Sequence, residues 1–301
     1  MIKLLVVLAV MCISTSSLAV RLTAAPAVWL AFIRLLLSAV ILLPFALTRC
    51  KRELASLSRP VFLRYALSGI MLGLHFLCYF EALKNTSITA AVVLSCSEAF
   101  FVAIGSRIFY REPIRTSGWI SITIAFLGCV LVTTAKNTQS PNAMLGNLLG
   151  LLAAILIAVN TLITKGSRKE GSTTAYTFVT YGFAALTLFV ATLAMDVPIA
   201  GRMPTDWLIG LWLSVICTIL GHSVLSFCLK FERASYVSAA KLLSPAFAAC
   251  LGWLVLQEVP ATQVVVGSVI VMGSVYAYSR QCSPEPRQCA AKSLGQAGEP
   301  L

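Results

Sequence analysis

Two charged residues of this sequence stand inside apolar segments. Glu98 lies within AAVVLSCSEAFFVAIGSRIF (residues 90–109), and Lys241 lies within a later apolar segment at residues 234–256. A charge near the centre of a membrane-spanning helix costs roughly 2.5–3.5 kcal/mol. Such a group should face protein or water rather than lipid, so both residues mark a candidate functional site.

Both charges belong to stripes of small and polar residues at helical spacing. The two stripes are Ser87, Ala91, Ser95, Glu98, Val102 and Gly105, and Ser238, Lys241, Pro245, Ala248 and Gly252. A carboxylate and an ammonium that face one cavity could bind the two charged groups of a zwitterion, which favours an amino-acid-like substrate. Two alternatives stay open: Glu98 and Lys241 pair with each other or with neighbouring dipoles, or they serve proton coupling alone.

Other polar residues are candidates for coupling, gating or wall contacts. His75 and His222 each lie near the middle of an apolar segment, and an imidazole titrates near pH 6.5, so either is a candidate for the coupling proton. Their alternative role is packing. Arg34 and Glu81 lie at similar depths, which predicts an ion pair between two helices or an outer gate. The remaining substrate-binding candidates are Tyr79, Asn160, Ser95 and Ser226.

The elements that carry these residues are predicted to be membrane-spanning helices. Of the 301 residues 58% are hydrophobic and 11% are charged, and the mean hydropathy is +0.89. These values are typical of an integral membrane protein, and the apolar runs are long enough to cross a bilayer as helices. Ten spans are predicted, at residues 2–20, 27–47, 64–84, 88–109, 117–135, 144–164, 175–195, 207–230, 234–256 and 260–279.

The first predicted span also has features of a secretory signal peptide. Lys3 precedes an apolar core, and Ser17-Leu18-Ala19 is similar to a cleavage site. A matching segment, GNLLGLLAAILIAVNTLITK (residues 146–165), opens the second half of the chain, where a signal peptide cannot stand. We therefore interpret the first segment as a span.

The net charge of +12 follows a topological pattern. With a cytoplasmic N terminus, 17 of the 23 Lys and Arg residues fall at cytoplasmic ends and loops, and four fall on the other side. The positive-inside rule then predicts an inner or plasma membrane protein with both termini in the cytoplasm. The basic residues form no clustered footprint for nucleic acid. The ten cysteines include no C-x-x-C pair, and we predict no metal site, disulfide or cofactor.

The chain contains an internal repeat. A shift of 146 residues lays Glu98-Ala99 on Ser244-Pro245 and Glu112 on Glu258. Each half holds five spans, an odd number, so the second copy enters the membrane from the opposite side. The predicted fold is all-α, with ten transmembrane helices as two inverted five-helix repeats at residues 1–139 and 140–280. The tail at 281–301 is polar and is predicted to be disordered and cytoplasmic.

Three patterns in this repeat are similar to a known family. They are Y-x-x-A-L-K-x-T-S from Tyr79 to Ser87 with an apolar helix that ends at Glu112, the second copy KLLSPAFAACLGWLVLQE (residues 241–258), and FIRLLLSAV around Arg34. The sequence resembles the EamA domain of the drug/metabolite transporter superfamily. The resemblance implies a ten-helix carrier of amino acids, nucleotide sugars, sugar phosphates or other metabolites, with a central cavity and with helices 5 and 10 set back from it.

The sequence departs from the family pattern at one pair of positions. Family helices 4 and 9 often carry Glu-Pro at the centre, whereas here helix 4 keeps the Glu (Glu98-Ala99) and helix 9 keeps the Pro (Ser244-Pro245). Structural roles are predicted elsewhere: Glu112 and Glu258 stand just before prolines and are expected to cap helices. Close helix contacts are predicted at Gly69-x-x-x-Gly73 and Gly146-x-x-x-Gly150.

The predicted function is secondary active transport of a small polar metabolite by alternating access, with an amino acid or related zwitterion favoured. One alternative is an intramembrane enzyme that acts on a lipid-linked substrate, but the sequence has no H-E-x-x-H, nucleophile elbow or P-loop. Another is a non-transporting scaffold or sensor. The expected partners are a small-molecule substrate, the lipid bilayer and a coupling proton, and the sequence leaves a homodimer open.

Overall fold

The computed structural model describes residues 2–85, 94–133, 143–167, 171–256 and 262–281. Within these ranges the regular structure is helical throughout, with no strand, which confirms the predicted all-α fold. Several predicted features lie outside the described residues, namely Ser87 and Ala91 of the first stripe, the cap at Glu258, and the tail from residue 282.

The described helices follow the predicted spans in order. Eight spans are uninterrupted: Ile2–Arg21, Ala27–Arg49, Arg59–Asn85, Thr116–Thr133, Ala143–Ser167, Thr173–Ala194, Pro204–Cys228 and Thr262–Gln281. The eighth span, Pro204–Cys228, contains a π-helical stretch at Leu213–Ser223. The fourth and ninth spans are broken. Glu98–Phe109 follows a short helical stretch at 94–96, and Ala234–Lys241 is separated from Ser244–Leu256 by two residues. A short helix, Lys51–Ser56, connects the second and third spans.

Five of the described helices are long and apolar enough to cross a membrane by themselves. They are Ala27–Arg49, Arg59–Ala82, Met144–Ser167, Thr173–Ala194 and Pro204–Cys228. Shorter apolar helices at Ile2–Ser16, Thr116–Gly128 and Val265–Tyr278 correspond to the first, fifth and tenth spans. The chain is therefore a multi-pass membrane protein.

The internal repeat reappears in the helix boundaries. Ala27 and Thr173, Thr116 and Thr262, and Glu98 and Ser244 begin equivalent helices 146 residues apart. The principal helix pairs join the two halves: the second span packs on the seventh, the third on the sixth, the first on the eighth and the fifth on the tenth. The halves are therefore interleaved, and a cavity between them has walls from both.

One end of the bundle is rich in basic residues, and its loops contact each other. This basic end holds the loops at 50–58, 110–115 and 229–233. There, Glu53 Oε1 accepts a hydrogen bond from the backbone N–H of Ser172 at 2.6 Å. That contact lies at the start of the seventh span. The equivalent second span starts at the opposite end of the bundle, where Thr23 donates to Asp206. Equivalent helices thus run in opposite directions, as the odd number of spans predicts.

Glycines allow the third and seventh spans to approach closely. A Cβ atom built on Gly73 would lie 2.9 Å from Cβ of Thr187 and 3.0 Å from the carbonyl oxygen of Ala184. Gly69 meets the same helix at Thr180 and Phe183. The prediction of a close helix contact at this glycine pair is confirmed, and the contact holds the face of the third span that carries the cavity residues in place.

Candidate functional site

A cavity of about 190 Å³ lies between the two halves. Its walls come from the first, second, third, fourth, sixth, eighth and ninth spans, and none of the described lining residues belongs to the fifth or tenth. Most of the predicted site residues line it: Glu98, Lys241, Tyr79, Ser95, His75, His222 and Arg34. The cavity therefore brings together predicted site residues that are far apart in the sequence, such as Arg34 and Lys241.

Glu98 and Lys241 form an ion pair on the cavity wall. Lys241 Nζ lies 2.8 Å from Glu98 Oε1, and the two side chains are 20% and 8% exposed. Thr161 of the sixth span donates a second hydrogen bond to the same oxygen at 3.0 Å. Of the alternatives left open by the sequence, this structure shows the direct pair. Thr161 was missed because a threonine in an apolar helix is usually a packing residue.

The backbone breaks at both members of this pair. In the fourth span, Ser97 Oγ donates to the carbonyl of Leu94 at 2.5 Å, which competes with the helical backbone pattern, and a new helix begins at Glu98. In the ninth span, Pro245 has no N–H to donate to the Lys241 carbonyl, so the helix ends at Lys241 and restarts at Ser244. Each charge therefore stands at the end of a half-helix.

Each of the two charges lies at the end of its half-helix where the helix dipole stabilises it. Glu98 is the first residue of Glu98–Phe109, where the helix dipole is positive. Lys241 is the last residue of Ala234–Lys241, where the dipole is negative. Broken helices that present their ends to ions and substrates near the membrane centre are a recurrent feature of secondary transporters.

Arg34 is the second cation of the cavity, and it is held differently. Its side chain is 3% exposed. Nε donates to Thr218 Oγ1 at 2.7 Å, and the guanidinium carbon lies 4.7 Å from the centre of the Phe76 ring. Among the described residues, the fully enclosed Nη2 has no hydrogen-bond partner. The described contacts of Arg34 are thus with Thr218 and Phe76, and the ion pair or outer gate predicted for Arg34 with Glu81 stays a prediction.

Both histidines line the same cavity. His75 Nδ1 lies 2.9 Å from the carbonyl oxygen of Ala153, and because a carbonyl only accepts, Nδ1 carries the proton when this hydrogen bond is formed. Its ring stacks on Tyr79 with centroids 6.0 Å apart, and His222 meets the Phe76 ring edge-on at the same separation. The two imidazoles are thus placed on an aromatic wall close to Arg34.

The π-helical stretch of the eighth span carries His222, which lines the cavity, and Thr218, which accepts the hydrogen bond of Arg34. Within it, Thr218 Oγ1 donates to the carbonyl of Leu213, five residues earlier, while accepting from Arg34. Ser223 Oγ likewise lies 3.4 Å from the carbonyl of Thr218. Such stretches are frequent at functional sites. No feature of the sequence predicted this one, because its residue types also suit an ordinary α-helix.

Three predicted site residues do not line the cavity. Asn160 Nδ2 donates to the carbonyl and the hydroxyl of Ser68, both at 2.9 Å, and thereby joins the sixth span to the third. Ser226 and Glu81 are absent from the described cavity wall. A periodic pattern predicts which residues share a helix face, but it does not fix the direction of that face.

Glu112 caps a helix other than the one that its position suggested. Its Oε2 accepts from Ser235 Oγ at 3.0 Å and its Oε1 from the backbone N–H of Ala234 at 3.3 Å, at the start of the ninth span. The following helix begins only at Thr116. The capping role is therefore observed across the two halves rather than within the first. It stabilises the half-helix that ends at Lys241.

The fold and the cavity define the class of protein, a multi-pass membrane protein with a charged cavity between its two halves. The chain belongs to the EamA-like transporter family, which matches it twice, at residues 1–134 and 144–280. A solved crystal structure of a protein superposes on it with a TM-score of 0.77 and 16% identity, covering 93% of this chain and 97% of the other. That similarity shows a shared fold alone. Among the described residues, no group of three or more His, Cys, Asp or Glu lies together as a metal site would require.

Several relatives carry transporter names. The pseudopaline exporter CntI of Pseudomonas aeruginosa is 26% identical over 70% of this chain and 73% of its own length. The S-adenosylmethionine uptake transporter of Rickettsia felis is 28% identical over 80% of this chain and 79% of its own length. The uncharacterized transporter YdfC of Bacillus subtilis is 26% identical over 82% and 79%. One relative is named for export and another for uptake, so family membership leaves the direction of transport open.

Proposed function

We propose that this transporter carries a small zwitterionic metabolite, an amino acid or a related compound, by alternating access. The observation that carries the proposal is the Glu98–Lys241 pair on the cavity wall, with Nζ and Oε1 2.8 Å apart. A bound zwitterion would place its ammonium group on Glu98 and its carboxylate on Lys241. Both protein charges would stay neutralised when their mutual contact opens.

The size of the cavity supports a small substrate. Its volume of about 190 Å³ is smaller than the pockets of roughly 300–1,000 Å³ that hold drug-sized ligands. Tyr79 and Ser95 supply further polar groups on the wall. This size and these polar groups favour an amino acid over a substrate as large as a nucleotide sugar.

The interleaved halves support alternating access. The cavity takes walls from both halves, so a rocking motion of one half against the other would expose the Glu98–Lys241 pair to each side in turn. His75 and His222 on the same wall are the proposed carriers of a coupling proton. The loops at the basic end are proposed to face the cytoplasm, with the chain in the inner or plasma membrane.

The test uses the full-length protein, purified and reconstituted in proteoliposomes. Amino acids are screened for thermal stabilisation, and each hit is then tested in counterflow. The double variant Glu98→Gln with Lys241→Gln removes both charges together, with Lys230→Gln at the exposed basic end as the control. We expect the double variant to fold and to lose counterflow by at least about tenfold, since charge-assisted contacts are worth about 1.5–3 kcal/mol each. Wild-type counterflow in this variant would show that the pair is structural.

A further inference from the structure

We infer that Arg34 binds a second carboxylate of the substrate, so that the preferred substrate is an amino dicarboxylate with a net negative charge. This inference rests on the proposed function and adds a residue and a charge to it. The structural feature that carries it is Arg34 on the cavity wall, a residue that is 3% exposed and that donates one hydrogen bond, from Nε, to the described residues.

The first step concerns the hydrogen bonds of Arg34. A guanidinium has five N–H donors. Among the described residues, Thr218 Oγ1 accepts one hydrogen bond, from Nε, and Nη2 is enclosed without a partner. Thr218 is a neutral hydroxyl that also donates to the Leu213 carbonyl, so it does not neutralise the charge. The Phe76 ring at 4.7 Å offers an electrostatic contact and no hydrogen-bond acceptor of comparable strength.

The second step concerns the charges of the cavity as a whole. The described residues that line it include two cations, Arg34 and Lys241, and one carboxylate, Glu98. That carboxylate is occupied by Lys241 and Thr161. Burying a cation without a counter-charge is costly, and proteins normally supply a paired anion for it. A ligand with a net charge of −1 would neutralise the remaining positive charge of the cavity.

The third step concerns geometry. A guanidinium presents parallel N–H groups that match the two oxygens of a carboxylate, and an arginine is preferred where such a planar group is recognised. The ammonium and one carboxylate of the substrate are assigned to Glu98 and Lys241. The second carboxylate is assigned to Arg34, which lies on the same cavity wall.

The test compares acids with their own amides. Binding of L-glutamate, L-aspartate, L-glutamine and L-asparagine to the purified full-length protein is measured by thermal shift, and hits are compared in counterflow. We expect each acid to bind at least about tenfold more tightly than its amide, because one charge-assisted contact of 1.5–3 kcal/mol is gained. In Arg34→Gln that ratio should fall to about one, while binding of the amides changes little.

Two further variants separate a binding role from a folding role. Arg34→Lys keeps a cation but loses the planar fork, so it should retain part of the preference for acids. Arg202→Gln is the control, because Arg202 also lies over an aromatic ring, at 5.5 Å from Trp29, but outside the cavity wall. Arg202→Gln should leave the ratio of acid affinity to amide affinity unchanged. A preference for acids that is lost equally in both Arg34→Gln and Arg202→Gln would overturn the assignment.

The remaining outcomes distinguish this inference from the proposed function. If the amides bind as tightly as the acids or more tightly, Arg34 has no carboxylate to bind and the inference fails, while the proposed function stands. If binding of amides needs chloride and is lost when methanesulfonate replaces it, an inorganic anion neutralises Arg34 and the inference also fails. If no compound with an ammonium and a carboxylate binds, both the proposed function and the inference fall.

Discussion

The two cations of the cavity are held in opposite ways. Lys241 has a carboxylate at 2.8 Å and stands at the negative end of a half-helix. Arg34 has a hydroxyl and an aromatic ring, and no carboxylate contacts it among the described residues. The same cavity therefore contains one cation that a protein carboxylate neutralises, Lys241, and one that no described carboxylate contacts, Arg34.

This difference separates stability from recognition. Where a buried charge is paired, removal of its partner leaves the other charge uncompensated, and stability falls sharply. Where a buried charge is unpaired, its removal relieves a desolvation penalty and the loss of stability is small. A charge of the first kind contributes to stability as well as to the proposed binding of substrate, whereas a charge of the second kind contributes mainly to binding. The two kinds should respond differently to substitution.

The largest expected effect is at Lys241. Lys241→Met keeps the length of the side chain and leaves the Glu98 carboxylate without its partner, so the free energy of unfolding should fall by about 3 kcal/mol. Thermal or denaturant unfolding of the purified protein in detergent measures this. Lys230→Met, at an exposed site, is the control. Addition of Glu98→Gln to Lys241→Met should recover at least half of the loss, and no recovery would mean that the pair does not account for it.

The next largest effect tests whether the helix dipoles stabilise Glu98 and Lys241. In the exchange Glu98→Lys with Lys241→Glu the ion pair is kept, but each charge meets the unfavourable end of its half-helix. We expect the exchanged protein to be less stable than wild type by about 0.6–2 kcal/mol, from roughly 0.3–1 kcal/mol at each helix end. The measurement is the same unfolding experiment. Equal stability of the two proteins would show that the backbone breaks do not contribute to holding the charges.

A smaller effect is expected at Arg34. Arg34→Met removes the hydrogen bond to Thr218 and the contact with Phe76, but it also removes a cation that lacks a counter-charge. These contributions oppose each other, so the stability should stay within about 1 kcal/mol of wild type. A loss as large as that of Lys241→Met would contradict the contrast between the two cations. Measurement of both variants side by side, in one detergent, decides between them.

Much of the fold could be predicted from the sequence because it follows from hydrophobicity. Apolar runs of sufficient length predict spans, and the shift of 146 residues predicted that helices at Ala27 and Thr173 would be equivalent. The depth of a charge could be predicted as well, and Glu98 and Lys241 do meet in the cavity. These features depend on patterns of period and length, which a single sequence carries.

The remaining parts of the site depend on local contacts that residue types do not reveal. The break before Glu98 is made by the hydroxyl of Ser97, and the acceptor of Arg34 is presented by a π-helical stretch. Neither a serine nor a threonine in an apolar helix predicts such a role. Asn160 was equally polar, yet it faces Ser68, because the direction of a helix face is set by packing between helices. Pro245 alone gave a visible signal of a break.

The smallest expected effect tests whether the two breaks are equivalent. Ala99 is the second residue of its half-helix, as Pro245 is of Ser244–Leu256. The N–H of a residue in the first turn has no partner within the helix, so Ala99→Pro should change the free energy of unfolding by no more than about 1 kcal/mol. Ala103→Pro is the matched control, because that buried residue is inside the helix and a proline there costs about 3 kcal/mol or more. Similar losses in both variants, measured by unfolding in detergent, would mean that the fourth span is continuous at Ser97 and that Glu98 is not at a helix end.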